Sequence, residues 1–141
     1  MYLTQGLHRS LQQTPDAPAT VFGERVRGFR EQADRVARLA GALRELGVRD
    51  GERVGVLALN SDRYAEYLLA VPWADGVLNP INLRWSPAEI VYSLEDSQTD
   101  ILFVDDSFAS AIPVLRTAAW SGRRRRPRPT RSARPYQRPD H

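Results

Sequence analysis

The chain has 141 residues, which suits one domain or one domain with a tail, and its formal net charge of +3 is unevenly distributed. Residues 1–116 contain 12 arginines against 16 acidic residues, whereas residues 117–141 contain eight arginines against one acidic residue, so an acidic body precedes a basic tail. The sequence has no lysine, and it has no cysteine, which excludes disulfides and thiolate metal sites. No apolar run approaches the roughly 18 residues of a membrane span, which excludes a transmembrane helix, so we expect a cytoplasmic protein.

The amino-terminal part of the sequence predicts a helix, a hairpin and a second helix. A leucine every four residues indicates a short helix over about residues 4–13. The segment ATVFGERVRGF then predicts a β-hairpin that turns at Gly23 and Glu24. From residue 29 onward, apolar side chains recur at helical spacing, and Gly47 follows them as the glycine that ends a helix.

Strands and helices alternate through the rest of the body. RVGVLALN is an almost continuous apolar run, which is typical of a strand covered on both faces, and VLNPIN and DILFVDD predict two more strands. Between them, a helix begins after Asn60 or Ser61 and ends or kinks at Pro72, and another begins at the capping sequence SPAE. A last helix is expected within SFASAIPVLR. The order predicts an α/β fold, a mostly parallel sheet with helices on both faces and a small amino-terminal β-hairpin.

Three segments carry a resemblance to a known family. LGVRDGERVGVLALNS, GVLNPINLRWSPAEI and LEDSQTDILFVDD occur in this order, and together they resemble the amino-terminal part of the AMP-forming acyl-CoA synthetases, in the acyl-adenylate-forming superfamily. The resemblance covers roughly residues 5–116, and it implies that residues 1–116 are the amino-terminal part of an adenylate-forming domain. It also implies the family's chemistry, in which a carboxylate attacks the α-phosphate of ATP and coenzyme A captures the acyl-adenylate, with Mg²⁺ as cofactor and fatty acid metabolism as one setting.

The groups that the family uses to hold and activate ATP are missing from this sequence. The family has a glycine-rich Ser/Thr loop and a catalytic lysine, whereas here the SG pair at residues 121–122 is followed by arginines and lysine is absent. Arginines on a tail do not replace a preorganised phosphate loop. We therefore expect a truncated, partial domain with no catalytic residue and no cofactor site of its own, inactive alone. The alternatives are a binding module and a nucleic-acid binder that uses the tail.

Residues 117–141 read as a disordered basic tail. Arginine and proline dominate them, and such a composition cannot bury enough apolar surface to order itself. These are residue types that GC-rich codons encode out of frame, which favours a frameshift product or an unselected extension. A nucleic-acid-binding arm is not expected, because only Trp120 and Tyr136 are available for stacking. A membrane-surface or targeting role is the remaining alternative.

Two pairs of residues are candidates for ligand binding. Asn82 and Arg84, in NPINLRW, are weak candidates for contacts with a substrate in the full-length family. Their alternative role is to hold the loop between the sheet and a helix. Asp105 and Asp106 follow a strand, where ligands of α/β proteins gather, so Mg²⁺ or ribose binding is conceivable. The alternative for this pair is an N-cap for the following helix.

The last predicted strand raises the question of partners. The family's sheet continues beyond this strand, so the resemblance implies an unpaired edge and an uncovered apolar face. We therefore expect self-association or pairing with a chain that supplies the missing part, and neither a membrane nor a nucleic acid as partner.

Overall fold

The computed structural model describes residues 3–120, and its elements follow the predicted order. The helices are α1 (Gln5–Gln13), α2 (Phe29–Glu45), α3 (Asp62–Trp73), α4 (Pro87–Asp96) and α5 (Ile112–Trp120), with a 3-10 helix over Asp106–Ala111. The strands are β1 (Pro18–Phe22), β2 (Arg25–Gly28), β3 (Arg53–Leu57), β4 (Val77–Pro80) and β5 (Ile101–Val104). The predicted α/β fold is therefore confirmed as a partial domain.

The strands form two separate sheets. β1 and β2 pair antiparallel, with Val21 opposite Val26 across the turn at Gly23, which has a positive φ of 58°. β3 lies in the middle of a three-stranded parallel sheet in the order β4-β3-β5. The hairpin was predicted from the segment that turns at Gly23 and Glu24, and the parallel sheet was predicted from the alternation of strands with helices.

Helices cover both faces of the parallel sheet. Side chains of α2 and α3 pack with Val54 and Val56 of β3 in one core cluster. Leu94 of α4 and Leu115 of α5 pack with Leu57 in the second cluster, on the other face. A Cβ atom at Gly55 would lie 2.8 Å from a methyl carbon of Leu102, so any side chain at position 55 would force the Leu102 side chain to move.

Three helices end in the same hydrogen-bonded motif, in which the chain turns through the left-handed region. Gly47 ends α2 in this way, as predicted, with a φ of 99°, and its N–H donates to the carbonyl of Arg44. Asp75 and Gln98 occupy the same position after α3 and α4, with φ values of 64° and 52°. Since neither is glycine, these two helix ends hold a side chain in a conformation that L-residues adopt at a cost.

The segment after β5 differs from the single helix that was predicted. It begins as the 3-10 helix and becomes α-helical at Ile112. Pro113 has no N–H to donate to the carbonyl of Ala109, so an α-helix running through this point would lose one hydrogen bond and be kinked. The N–H of Ile112 instead bonds to Ala109 with the shorter 3-10 spacing.

Helix α5 overlaps the first residues of the predicted tail, residues 117–141. This helix continues to Trp120, past the predicted start of the tail at residue 117. Disorder was predicted for residues 117–141, and of these, residues 121–141 lie outside the described residues. Within residues 3–120, no helix is long and apolar enough to cross a membrane.

Candidate functional site

The carboxyl edge of the parallel sheet is the natural place for a ligand site in this fold. β3, β4 and β5 run in the same direction, so the loops that follow Leu57, Pro80 and Val104 meet at one edge. Asn82 and Arg84 lie in the loop after β4, whereas Asp105 follows β5 and Asp106 begins the 3-10 helix. The question is whether their polar atoms face a ligand or hold the loops in shape.

Asp105 uses both carboxylate oxygens to fix the backbone of this edge. Oδ1 accepts a hydrogen bond from the Ser107 N–H at 2.9 Å, and Oδ2 accepts one from the Leu59 N–H at 3.3 Å. The first bond caps the 3-10 helix, and the second ties the β3–α3 loop to the end of β5. The bond from Ser107, helped by that from Leu59, lowers the pKa of Asp105. Capping therefore accounts for Asp105, while Asp106 is exposed in the first turn of the 3-10 helix.

Asn82 and Arg84 lie on the loop between β4 and α4. Oδ1 of Asn82 accepts a hydrogen bond from the Arg84 N–H at 3.0 Å, and the Asn82 carbonyl accepts one from the Trp85 N–H at 3.2 Å. Both Asn82 and Arg84 are exposed. The side chain of Asn82 therefore shapes its own loop. Binding of a substrate by Asn82 or Arg84 stays a prediction.

The helices that leave this edge are capped by their own side chains. Ser61 accepts a hydrogen bond from the Tyr64 N–H at the start of α3. At the start of α4, Ser86 and Glu89 form the capping box that SPAE predicted, with the Ser86 N–H bonded to Glu89 Oε2 at 2.7 Å. These bonds lower the pKa of Glu89. The polar side chains here are thus engaged with backbone N–H groups that a phosphate would otherwise use.

The described residues do not fit Mg²⁺ with a triphosphate. Residues 3–120 hold no group of three His, Cys, Asp or Glu side chains that could bind a metal ion. The best-placed carboxylate, Asp105, has an N–H donor on each oxygen. We therefore assign no step of ATP chemistry to residues of this edge.

The densest group of charges lies elsewhere, between the hairpin and helices α2 and α3. Asp62 has a side chain only 1% exposed, and it accepts two hydrogen bonds from Arg25, from Nε at 2.7 Å and from Nη2 at 2.8 Å. Arg27, 9% exposed, also donates to Asp62 and lies 3.5 Å from Glu66. Arg35 completes the group by donating two hydrogen bonds to Glu66. We call Arg25, Arg27, Arg35, Asp62 and Glu66 the ionic cluster.

The ionic cluster joins three elements that are distant in sequence. The hydrogen bond from Arg25 is the main cause of the lowered pKa of Asp62, with the charge of Arg27 adding to it. Because every charged group has an opposite partner and the group bridges β2, α2 and α3, its role is to fix the hairpin on the helices. The sequence analysis did not identify this cluster. The available signal was the i, i+2 spacing of Arg25 and Arg27 along β2 and the i, i+4 spacing of Asp62 and Glu66 along α3.

A shallow surface concavity lies at the opposite edge of the sheet, beside the end of α2. Arg44 donates to the Trp73 carbonyl at 2.7 Å, and Arg49 donates to the Arg44 carbonyl at 2.9 Å. These guanidinium groups satisfy carbonyls at helix ends, which is an ordinary structural role. The concavity is lined by Arg44, Glu45, Val48, Arg49, Asp50, Ala74 and Asp75.

Comparison with protein families gives a match to one family over most of the chain. The profile described as "AMP-binding enzyme" matches residues 7–135. The match extends past residue 117, the predicted start of the basic tail, and that boundary stays a prediction.

Several curated relatives with similar sequences are CoA ligases or synthases by name. The chain is 38% identical to a 2-succinylbenzoate–CoA ligase, chloroplastic/peroxisomal, of Arabidopsis thaliana. The aligned 109 residues cover 77% of this chain and 20% of that protein. It is 36% identical over 107 residues to a feruloyl-CoA synthase of Amycolatopsis, 76% of this chain and 22% of that protein. To a long-chain-fatty-acid–CoA ligase of Thermus thermophilus it is 38% identical over 88 residues, 62% of this chain and 16% of that protein. The chain thus spans about a fifth of the length of the curated relatives it matches.

Solved structures show the same fold. The anthranilate CoA ligase AuaEII in complex with anthranoyl-AMP is 28% identical, with a TM-score of 0.76 over 80% of this chain and 22% of that chain. The amino-terminal domain of FACL13 from Mycobacterium tuberculosis has a TM-score of 0.75 over 80% of this chain and 29% of that chain, at 24% identity. The described residues therefore correspond to an amino-terminal portion of larger ligases.

Proposed function

The chain belongs to the AMP-binding enzyme family, and from this premise we propose that it is the amino-terminal scaffold of an ATP-dependent acyl-CoA ligase that does not adenylate a carboxylate by itself. The observation that carries the proposal is the family match over residues 7–135 together with the coverage of about a fifth of the matched relatives. The groups that hold and activate ATP would come from polypeptide outside the described residues, either in the same protein or in a second chain.

The proposed reaction of the complete ligase has two steps. A carboxylate oxygen of the acid attacks the α-phosphorus of ATP, the bond to pyrophosphate breaks, and an acyl-adenylate forms. The thiolate of coenzyme A then attacks the acyl carbon, and AMP leaves with the bonding electron pair. Bound Mg²⁺ would neutralise charge on the phosphates, and the residues described here supply no ligand set for it.

The contribution of this chain is rigidity at the carboxyl edge of the sheet. Asp105 ties two loops together there, and the capping box of Ser86 and Glu89 sets the start of α4. Catalytic sites need their parts held to within fractions of an ångström, and sites supported by strands and capped helices meet this need better than free loops. A scaffold of this kind positions an active site without providing the reacting groups.

The acyl substrate belongs to the carboxylic acids, and the choice among them is an open part of the proposal. The relatives' names include aromatic acids, such as ferulate and 2-succinylbenzoate, and long-chain fatty acids. Fatty acid metabolism is therefore one proposed setting among several. A substrate panel must include both chemical classes.

The direct test uses the chain of 141 residues. Pyrophosphate release is measured with ATP, Mg²⁺, coenzyme A and a panel of aromatic and long-chain acids. We expect no acid-dependent release from the chain alone. Acid-dependent turnover by the pure chain would overturn the proposed inactivity.

A chimera tests the scaffold role separately. Residues 7–116 replace the matching amino-terminal segment of the Amycolatopsis feruloyl-CoA synthase, and ferulate-dependent pyrophosphate release is measured. We expect this chimera to fold and to be active. A matched chimera carrying Asp62→Ala should lose its activity at a lower temperature than the first chimera, because the ionic cluster is broken. A chimera that folds and melts cooperatively but shows no activity would overturn the scaffold role.

A further inference from the structure

The hairpin of β1 and β2, residues 18–28, contributes no side chain to the apolar cores of the described fold. Its two strands form a sheet of their own. Neither of the two core clusters found within residues 3–120 contains a side chain from this segment. Val21, Phe22 and Val26, which are its large apolar residues, are all exposed. Burial of apolar surface, which holds the helices on the parallel sheet, therefore contributes little to the docking of the hairpin.

Charged groups dock the hairpin instead. Arg27 alone is buried within residues 18–28, and it donates to Asp62 and lies 3.5 Å from Glu66. Arg25 donates two hydrogen bonds to the same carboxylate of Asp62. The cost of removing these charges from water offsets much of their attraction, so the net stabilisation is small for the number of contacts. The buried hydroxyl of Thr20 on β1 has no hydrogen-bond partner among the described residues, which further disfavours the docked state.

The base of the hairpin is anchored more firmly than its strands. The Phe29 and Arg30 N–H groups, in the first turn of α2, donate to the carbonyls of Ala17 and Pro15 at 3.1 and 2.9 Å. These bonds satisfy N–H groups that Gly28, the N-cap residue, cannot bind with a side chain. Phe29 also packs against the core cluster of α2 and α3. The two strands therefore extend from a base that belongs to the core.

We propose that the hairpin is a strap that detaches from α2 and α3 as one unit, about its base, while the parallel sheet and its helices stay folded. The ionic cluster is the contact that holds this strap closed. Proteins open locally at free energies below that of global unfolding, and segments with few buried apolar contacts open first. A two-stranded hairpin is marginally stable by itself, so its ladder loosens once it detaches. This opening needs no catalysis and is independent of the proposed function.

Hydrogen exchange of the natural chain tests the proposal without any substitution. The slowest amides of β1 and β2 should exchange at least about tenfold faster than the slowest amides of β3. Their exchange rates should also depend less steeply on urea, because detachment of the hairpin exposes less surface than global unfolding. Equal exchange protection and equal urea dependence for the hairpin and β3 would overturn the proposal.

Thiol reactivity locates the opening, because the natural chain has no cysteine. Thr20→Cys places a thiol at the position of the buried hydroxyl, and Val56→Cys is the matched variant in the buried middle of β3. A buried thiol is modified only when its segment opens, so a thiol reagent should modify Thr20→Cys at least about tenfold faster than Val56→Cys. Equal rates of modification would contradict separate opening of the hairpin.

A change in the ionic cluster separates opening of the hairpin from simple exposure of the thiol. Asp62→Asn removes the charge that Arg25 and Arg27 contact, so it should raise the modification rate of Thr20→Cys at least about tenfold. Asp34→Asn, which changes an exposed pair on α2, is the control and should leave this rate within about twofold. The same rate with either substitution would overturn the role of the ionic cluster in closing the strap.

Discussion

Replacement of Asp62 by alanine should destabilise the fold more than replacement of an exposed charged residue. The side chain of Asp62 is 1% exposed and that of Arg27 is 9% exposed, so both charges are held away from water. Without the carboxylate, Arg27 keeps Glu66 at 3.5 Å and the largely exposed Glu31 at 3.2 Å. Arg25 loses both of its hydrogen bonds to the cluster.

The expected loss lies toward the lower end of the cost of breaking a buried ion pair, because Arg27 keeps two carboxylates nearby and Arg25 is partly exposed. Removal of one member of a buried ion pair costs about 3–5 kcal/mol, a large share of the roughly 5–15 kcal/mol that typically holds a domain folded. The free energy of unfolding is measured by urea titration with tryptophan fluorescence. The urea midpoint of Asp62→Ala should fall by roughly 2 M relative to the natural chain.

The matched control is Asp34→Ala, which removes an acidic side chain from an exposed pair. Asp34 and Arg38 lie 3.0 Å apart on α2, with side chains 58% and 80% exposed. Such i, i+4 pairs contribute only about 0.3–0.5 kcal/mol. If Asp62→Ala and Asp34→Ala lower stability by the same small amount, the ionic cluster does not hold the hairpin on the helices.

Three further predictions concern other groups. The Tyr67 hydroxyl donates a hydrogen bond to the Val54 carbonyl at 2.6 Å and accepts one from the Asn79 N–H at 3.0 Å. Tyr67→Phe should therefore lower the free energy of unfolding, measured by urea titration, by about 1–3 kcal/mol. An unchanged free energy of unfolding would mean that water replaces the hydroxyl. Burial raises the pKa of Tyr67 to about 12, so the natural chain should lose stability as the pH rises from about 10 toward 12, and the slope of the free energy of unfolding against pH should be weaker in Tyr67→Phe. Gln98→Gly should raise the free energy of unfolding by about 0.5–1 kcal/mol by relieving the positive φ, whereas Gln98→Ala should give no such gain.

The loss of stability at low pH provides a second test of the pairing of Asp62. Its folded-state pKa is lowered, so its contribution to stability is present above about pH 4 and is lost as the pH falls through the lower folded value. Urea titrations between neutral pH and about pH 2 should therefore show a shallower decline for Asp62→Asn than for the natural chain. Parallel curves for the two proteins would contradict the assigned pairing.

Local signals in the sequence predicted the elements and their ends well. The capping box at Ser86 and Glu89 and the glycine end at Gly47 each depend on residues within one helical turn, so the sequence shows them directly. The 3-10 segment before Pro113 was predicted as part of a helix, because its apolar spacing suits either form. The missing N–H of the proline decides between them.

The ionic cluster could not be predicted in the same way, because its partners are distant in sequence. Arg25 and Arg27 lie 37 and 35 residues from Asp62, and only the packing of the hairpin on α3 brings them together. The candidate residues at the sheet edge differ in how far local sequence determines their role. Asp105 was placed correctly as an N-cap by local spacing, whereas a ligand role for Asn82 and Arg84 depends on parts of the ligase outside the described residues.

Titration of the chain of 141 residues with ATP in the presence of Mg²⁺, followed by calorimetry, tests the central claim most directly. If this polypeptide provides structural support and the groups that bind the triphosphate lie elsewhere, no saturable heat should appear at nucleotide concentrations up to about 1 mM. At that concentration a site with a binding free energy of only about −4 kcal/mol would already be half occupied. Tight binding of one nucleotide per chain would contradict the account.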